Sequence, residues 1–104
     1  MIADVPGFIV NRFLCLLYNE AANMIHNGVA TAEDIDAALK LGCYWPMGVT
    51  EIMDLAGVDV TLNAMEAMHE MTGEDRYDPS PLLRQMVADN KLGRKTGSGF
   101  YDHT

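Results

Sequence analysis

Apolar residues in this chain recur at three- and four-residue intervals from end to end, and nowhere do they alternate with polar ones for long enough to make a strand. A sequence patterned in this way has to bury helix faces against helix faces, so the predicted class is all-α. Val10, Phe13, Leu14, Leu17, Ala21, Met24 and Ile25 fall on one side at 100° per residue, with Arg12, Asn19 and Asn23 on the solvent side. They predict a first helix that Asp4 caps, that tolerates Pro6 in its first turn and that stops at Asn27-Gly28. At ~20 residues it would be ~30 Å long, a spine for the whole domain.

The remaining segments carry their own start and stop signals. Thr31-Ala32-Glu33-Asp34 sets a capping hydroxyl three residues ahead of a carboxylate, opening a second helix with Ile35, Ala38 and Leu39 inward and Gly42 at C′. Val49, Ile52, Met53 and Ala56 mark a short third helix stopped at Gly57. Asp59 caps a fourth, with Leu62, Met65 and Met68 inward and Thr72-Gly73 at its end. The polar segment from Glu74 to Pro79 reads as a loop, and Ser80-Pro81 as the cap and first residue of a fifth helix with Leu82, Leu83, Met86 and Val87 on one face. Five helices and a glycine-rich tail result. In that tail Gly97 and Gly99 are expected to supply positive φ angles for a tight turn that tucks Phe100 and Tyr101 against the helices.

At 104 residues and 49% apolar composition the chain can bury one core without disulfides or metal. Its net charge of -8 would repel a phosphate backbone, which argues against a nucleic-acid partner. Lys91, Arg94 and Lys95 form the one basic cluster, where a polyanion such as CoA would find local attraction; an ordinary solvated turn is the alternative. The run from Gly93 to Gly99 is not a phosphate-binding loop, because Arg94 stands where a glycine must precede the lysine. Cys15 and Cys43 form no C-x-x-C pair, and no stretch approaches the ~20 apolar residues of a membrane span, so the expectation is a cytoplasmic protein with no membrane contact and no signal peptide. His26, His69 and His103 have no ligand spacing and read as surface or boundary residues, with no metal expected.

Two end motifs carry a resemblance. Pro6-Gly7-Phe8-Ile9-Val10-Asn11-Arg12 and Gly93-Arg94-Lys95-Thr96-Gly97-Ser98-Gly99-Phe100-Tyr101, with the acidic helical stretch between them, resemble the C-terminal domain of the 3-hydroxyacyl-CoA dehydrogenase family, nearest to the bacterial 3-hydroxybutyryl-CoA dehydrogenases, over Asp4 to Tyr101. The resemblance implies the helical fold of the 6-phosphogluconate dehydrogenase C-terminal-domain type, a homodimer contact, and part of the cleft for a 3-hydroxyacyl-CoA substrate. It also implies NAD held by a separate N-terminal Rossmann domain. No G-x-G-x-x-G following an apolar strand occurs in these residues, so the chain reads as half of an enzyme, inactive alone. The rival reading is a stand-alone, non-catalytic dimerisation or interaction module.

From the helical wheel, Asn11 lies on the flank of the apolar stripe, where an amide needs a partner: a neighbouring helix end is one option. The resemblance implies the other, a place facing the active site, where the amide orients the substrate oxygen and the catalytic histidine. It further implies that the turn carrying Tyr44, Trp45 and Met47 borders the acyl chain. Pro46, Met47, Gly48, Glu51, Asp54, Gly57 and Asp59 match, whereas Tyr44-Trp45 stands where relatives tend to have small residues and Val49-Thr50 replaces their usual Pro-Phe. Candidate site residues are therefore Asn11 for catalysis and Tyr44, Trp45, Met47 and Lys95 for substrate.

Overall fold

The computed structural model describes residues 5–103, with side chains from Ile9 onward, that of Asn11 excepted. Five α-helices follow one another: α1 Val5–His26, α2 Ala32–Gly42, α3 Val49–Ala56, α4 Val58–Thr72 and α5 Pro81–Ala88. Single 3-10 turns occupy Asp75–Tyr77 and Arg94–Thr96, and there is no strand among the described residues. The all-α architecture with a long first helix is the one the apolar period predicts; the expected cap Asp4 lies outside the described residues.

Local chemistry accounts for most of the boundaries. Thr31 Oγ1 accepts from Asp34 N at 3.1 Å while Asp34 Oδ2 accepts from Thr31 N, a closed capping box. Ser80 Oγ accepts from Leu82 N with Pro81 as the first helical residue, and Gly73 ends α4 in the left-handed region at φ 67°. Two ends differ from expectation. Gly42 is the last helical residue rather than C′, and the left-handed position falls on Tyr44, at φ 59°, because the chain leaves α2 through Cys43 in a helical conformation. Asp59 does not cap α4; Gly57, at φ 110°, holds that place and turns the corner between α3 and α4, while Asp59 sits in the first turn facing Lys95.

The core forms where α1, α3, α4 and α5 meet: Cys15, Ala22, Met53, Val58, Met65, Met68, Leu83 and Tyr77. Met65 and Met68 are thus core, filling space between helices as flexible side chains do. The segment expected to be a plain polar loop supplies the fully buried Tyr77 from its 3-10 turn. That ring lies under the guanidinium groups of Arg12 and Arg76, at 5.9 and 5.3 Å.

The larger correction concerns α1. Of the expected side, Ala21 is buried and Met24 and Ile25 pack against the core, but the buried line also runs through Cys15, Asn19 and Ala22, whereas Val10 is 51% and Phe13 65% exposed, with Ile9 and Leu17 also open. An apolar period says which side of a helix avoids water, but not which neighbour covers it. Asn19, expected on the solvent side, is only 5% exposed. Its Nδ2 donates to Asp78 O at 2.8 Å and to Arg76 O at 3.3 Å, and its Oδ1 accepts from Ser80 N at 2.7 Å. One amide thereby satisfies three backbone groups of the segment that leads into α5, where unpaired buried groups would be costly.

Replacing Asn19 with Ala would strand those three groups, so Asn19→Ala is expected to destabilise the fold by about 2–4 kcal/mol. In a domain of this size that lowers Tm by roughly 10–20 °C. Thermal melts of Asn19→Ala and of Glu20→Ala, its exposed neighbour, provide the check: equal melting temperatures would contradict the bridging role.

Candidate functional site

Two buried carboxyl groups organise the region between α2, α3 and the C-terminal tail. Asp36 projects from α2 onto the first turn of α3, where Oδ1 accepts from Thr50 N at 2.9 Å, and Oδ2 accepts from Thr50 Oγ1 at 2.5 Å and from Glu51 N at 3.2 Å. It therefore serves as a cap supplied from another helix, which α3 needs because its own cap position is Gly48 and has no side chain. The glycine is required: a Cβ at Gly48 would collide with the Asp36 side chain. Tyr101 completes the set, its hydroxyl donating to Asp36 Oδ2 at 2.6 Å. Burial, and then the bond to Asp36, hold that phenol well above its ordinary range.

Asp54, 1% exposed on α3, does the same for the tail. Phe100 N donates to Oδ1 at 2.9 Å, Tyr101 N to Oδ2 at 3.0 Å, and His103 Nε2 lies 2.7 Å from Oδ2. Close approach of the tail to this residue dictates two glycines. Gly93, at φ 117°, passes over the Asp54 backbone, and a Cβ on Gly99 would strike the Asp54 carboxyl. Gly97 has the expected positive φ, at 85°, but Gly99 does not; its glycine is needed for space rather than for a left-handed turn.

Tyr44, Trp45 and Met47 stand together on the turn between α2 and α3. Tyr44 is 89% exposed, while Trp45 and Met47 are half-buried. Trp45 N donates to Leu39 O at 3.3 Å, and the Lys40–Glu51 ion pair, 2.6 Å, with Gly48 N donating to Glu51 Oε1 at 2.9 Å, closes the turn across its base. The bond from Lys40 holds Glu51 below the usual carboxylate range. Lys95 belongs to the opposite end of α3, about 12 Å away along an eight-residue helix. Its Nζ reaches Asp59 Oδ1 at 2.7 Å and Oδ2 at 2.9 Å, and it holds Asp59 below the carboxylate range. The structure thus gathers three candidates on one turn and sets the fourth apart, engaged with an acid. Asn11 falls within α1, but its side chain is outside the described residues.

A second feature adjoins the exposed part of α1. A groove of about 210 Å³ runs between α1 and α2, lined by Leu17, Ala21, Met24, Ile35, Ala38 and Val49. Through Leu17 it continues the open apolar line of Ile9, Val10 and Phe13. Sequence reasoning missed Asp36, Asp54, Thr50 and His103 as organising residues. A signal was present for Asp36, a carboxyl adjoining Ile35 on the edge of the α2 apolar side, the same kind of flank position that singles out Asn11.

Among the described residues, no three His, Cys, Asp or Glu side chains are grouped to hold a metal ion, and no helix is long and apolar enough to cross a membrane. The described residues also contain no strand–turn–helix unit to fit a dinucleotide.

Residues 7–103 match the family described as 3-hydroxyacyl-CoA dehydrogenase, C-terminal domain. The chain is 48% identical over 101 residues to human mitochondrial hydroxyacyl-coenzyme A dehydrogenase, and 46% identical over 102 residues to a 3-hydroxybutyryl-CoA dehydrogenase of Clostridioides difficile. The matches cover 96% and 98% of this chain but 32% and 36% of those proteins, so the chain spans about a third of the length of these relatives. Among solved structures it is similar to the (S)-3-hydroxybutyryl-CoA dehydrogenase PaaH1 of Ralstonia eutropha, with a TM-score of 0.87 and 41% identity over 90% of this chain and 33% of that one. With the family match covering nearly all of its length and the helical fold shared, this chain belongs to the 3-hydroxyacyl-CoA dehydrogenase family, whose C-terminal domain it represents.

Proposed function

We propose that this chain is the substrate-binding and dimerisation domain of an NAD-dependent 3-hydroxyacyl-CoA dehydrogenase of the 3-hydroxybutyryl-CoA class, acting in the cytoplasm in fatty-acid or butanoate metabolism. The observation that carries this reading is the family match over residues 7–103 in relatives about three times as long. Free Cys15 and Cys43 agree with a reducing compartment. NAD binds to a preceding Rossmann domain, and the residues present here do not suit it.

In the complete enzyme the hydroxyl of a 3-hydroxyacyl-CoA is oxidised to the ketone. This chain contributes Asn11, whose amide orients the reacting oxygen, and the turn of Tyr44, Trp45 and Met47, which borders the acyl chain. The bulk of Tyr44-Trp45 sets that border apart from the small residues relatives tend to have there. Lys95 offers a cation to the CoA moiety once Asp59 shares it. A positioned donor matters more to a transition state than to the fold.

Asn11→Ala in the complete enzyme should lower kcat/KM by roughly 10²-fold, about 2.7 kcal/mol, with Tm nearly unchanged. A loss of about 1–3 kcal/mol of stability with kcat/KM intact would instead assign Asn11 to a helix end.

The chain alone should show no saturable NADH binding by fluorescence titration, while its covalent or separate combination with an NAD-binding domain of the family oxidises 3-hydroxybutyryl-CoA. Sub-millimolar NADH affinity for the chain alone would overturn this division of labour. Absence of activity in the combination would favour a stand-alone interaction module.

The open line of Ile9, Val10, Phe13 and Leu17, running into the groove beside Met24, supports a homodimer, since apolar area left in water costs ~25 cal/mol per Å². Sedimentation at tens of micromolar should report the mass of two chains. Phe13→Asp, on the open face, should shift it to one.

A further inference from the structure

The C-terminal tail bears on the turn of Tyr44, Trp45 and Met47 through Asp36. That carboxyl is 3% exposed and sits where α2, the first turn of α3 and the tail converge. From α3 it takes Thr50 N, Thr50 Oγ1 and Glu51 N; from the tail it takes a single bond, the Tyr101 hydroxyl at 2.6 Å. Gly48, the residue that ends the turn, lies directly against the Asp36 side chain. The position of the Asp36 carboxyl therefore sets where α3 begins, and so the exit of the turn. Tyr101 is itself fixed at both ends, since its backbone N–H is held by Asp54.

We propose that Tyr101 is a positioning residue: through Asp36 it fixes the start of α3 and thereby the Tyr44–Met47 turn that borders the acyl chain. This rests on the reading of that turn as part of the substrate cleft. A buried carboxyl that loses one of its donors re-forms its remaining bonds around the gap or admits water, and either adjustment moves Gly48, which has no side chain to cushion it. Tyr44 is already in the left-handed region and nine-tenths exposed, so the turn relies on the bonds at its base, and the one from Gly48 N goes to Glu51 in the same first turn of α3 that Asp36 holds.

The chain supplies its own reporter, because Trp45 is its one tryptophan and stands in the turn. Tyr101→Phe keeps the ring and removes only the hydroxyl. In this chain it should move Trp45 emission to the red and raise acrylamide quenching roughly two-fold as the turn opens locally. His103→Gln loosens the tail on the Asp54 side without touching Asp36, and should leave Trp45 as it is. Thr50→Val removes a second hydroxyl donor from Asp36, and with it the Thr50 partner of the Tyr101 hydroxyl, while the tail keeps its bonds to Asp54; it should reproduce the Trp45 change and stands in if Tyr101→Phe fails to fold. In the complete enzyme, Tyr101→Phe should raise KM for 3-hydroxybutyryl-CoA about 10-fold, the size of one lost bond of this kind, with kcat within about two-fold. Unchanged Trp45 signals in both Asp36-donor variants, or equal changes in Tyr101→Phe and His103→Gln, would overturn the positioning role. A Trp45 change with unaltered KM would uphold it and remove the turn from the acyl site instead.

Discussion

Two carboxyl groups taken out of water hold the second half of this domain together. A buried carboxyl costs several kcal/mol unless its oxygens meet donors, and here the donors come from far along the chain: Asp54 from residues 46, 47 and 49 positions later, and Asp36 partly from one 65 positions later. The tail is therefore integral to the burial of α3, because without it Asp54 would lose Phe100 N, Tyr101 N and His103, while Asp36 would lose one donor of four. The same demand reaches back into the sequence as glycine. Gly93 and Gly99 bring the tail backbone against Asp54, and Gly48 brings the start of α3 against Asp36, at approach distances that a Cβ would forbid.

Asn19 plays the corresponding part on the other side of the molecule. The carboxyls accept from backbone N–H groups, Asp54 from the tail and Asp36 from the first turn of α3; the amide of Asn19, having both donor and acceptor, ties down carbonyls and an N–H in the segment between α4 and α5. That segment can then drop Tyr77 into the core from a 3-10 turn, under Arg12 and Arg76. The Tyr77 hydroxyl finds no hydrogen-bond partner among the described residues, so the ring is held there by packing and by the two cations. Polar groups at three points thus fix the course of the connections, and the methionines and aliphatic side chains fill what remains.

What was legible in the sequence is what depends on near neighbours. Thr31 with Asp34, Ser80 with Pro81, and Gly73 each announce a helix end through atoms a few residues apart, and those ends are where they were expected. The polar residues that matter most, Asp36, Asp54 and Asn19, were not legible because a charged or amide residue beside an apolar position reads equally as a solvated flank until the partner 14 to 65 residues away is in view. The same limit explains α1. Its apolar period is real, but the helix uses the Cys15, Asn19, Ala22 line for this domain and leaves the Phe13 side open. Tyr44 shows the reverse error: glycine statistics placed the left-handed residue at Gly42, and the chain put it two positions later on a tyrosine.

The open side and the clasped side divide the molecule in a way that bears on how a site could be built here. The turn of Tyr44, Trp45 and Met47 and the Lys95–Asp59 pair lie at opposite ends of α3, and both ends are fixed from the tail, through Asp36 at one and through the Arg94–Thr96 turn at the other. Helix α3 is eight residues long, too short to be stable by itself, so its orientation is borrowed from those contacts. Around Ile9, Val10, Phe13 and Leu17, by contrast, α1 offers an apolar surface that the described residues leave open. On the proposed reading, a wall backed by its own tail and an apolar face left open are complementary parts: the first would hold side chains in register for a ligand, and the second would supply the surface through which another folded body completes a cleft against that wall.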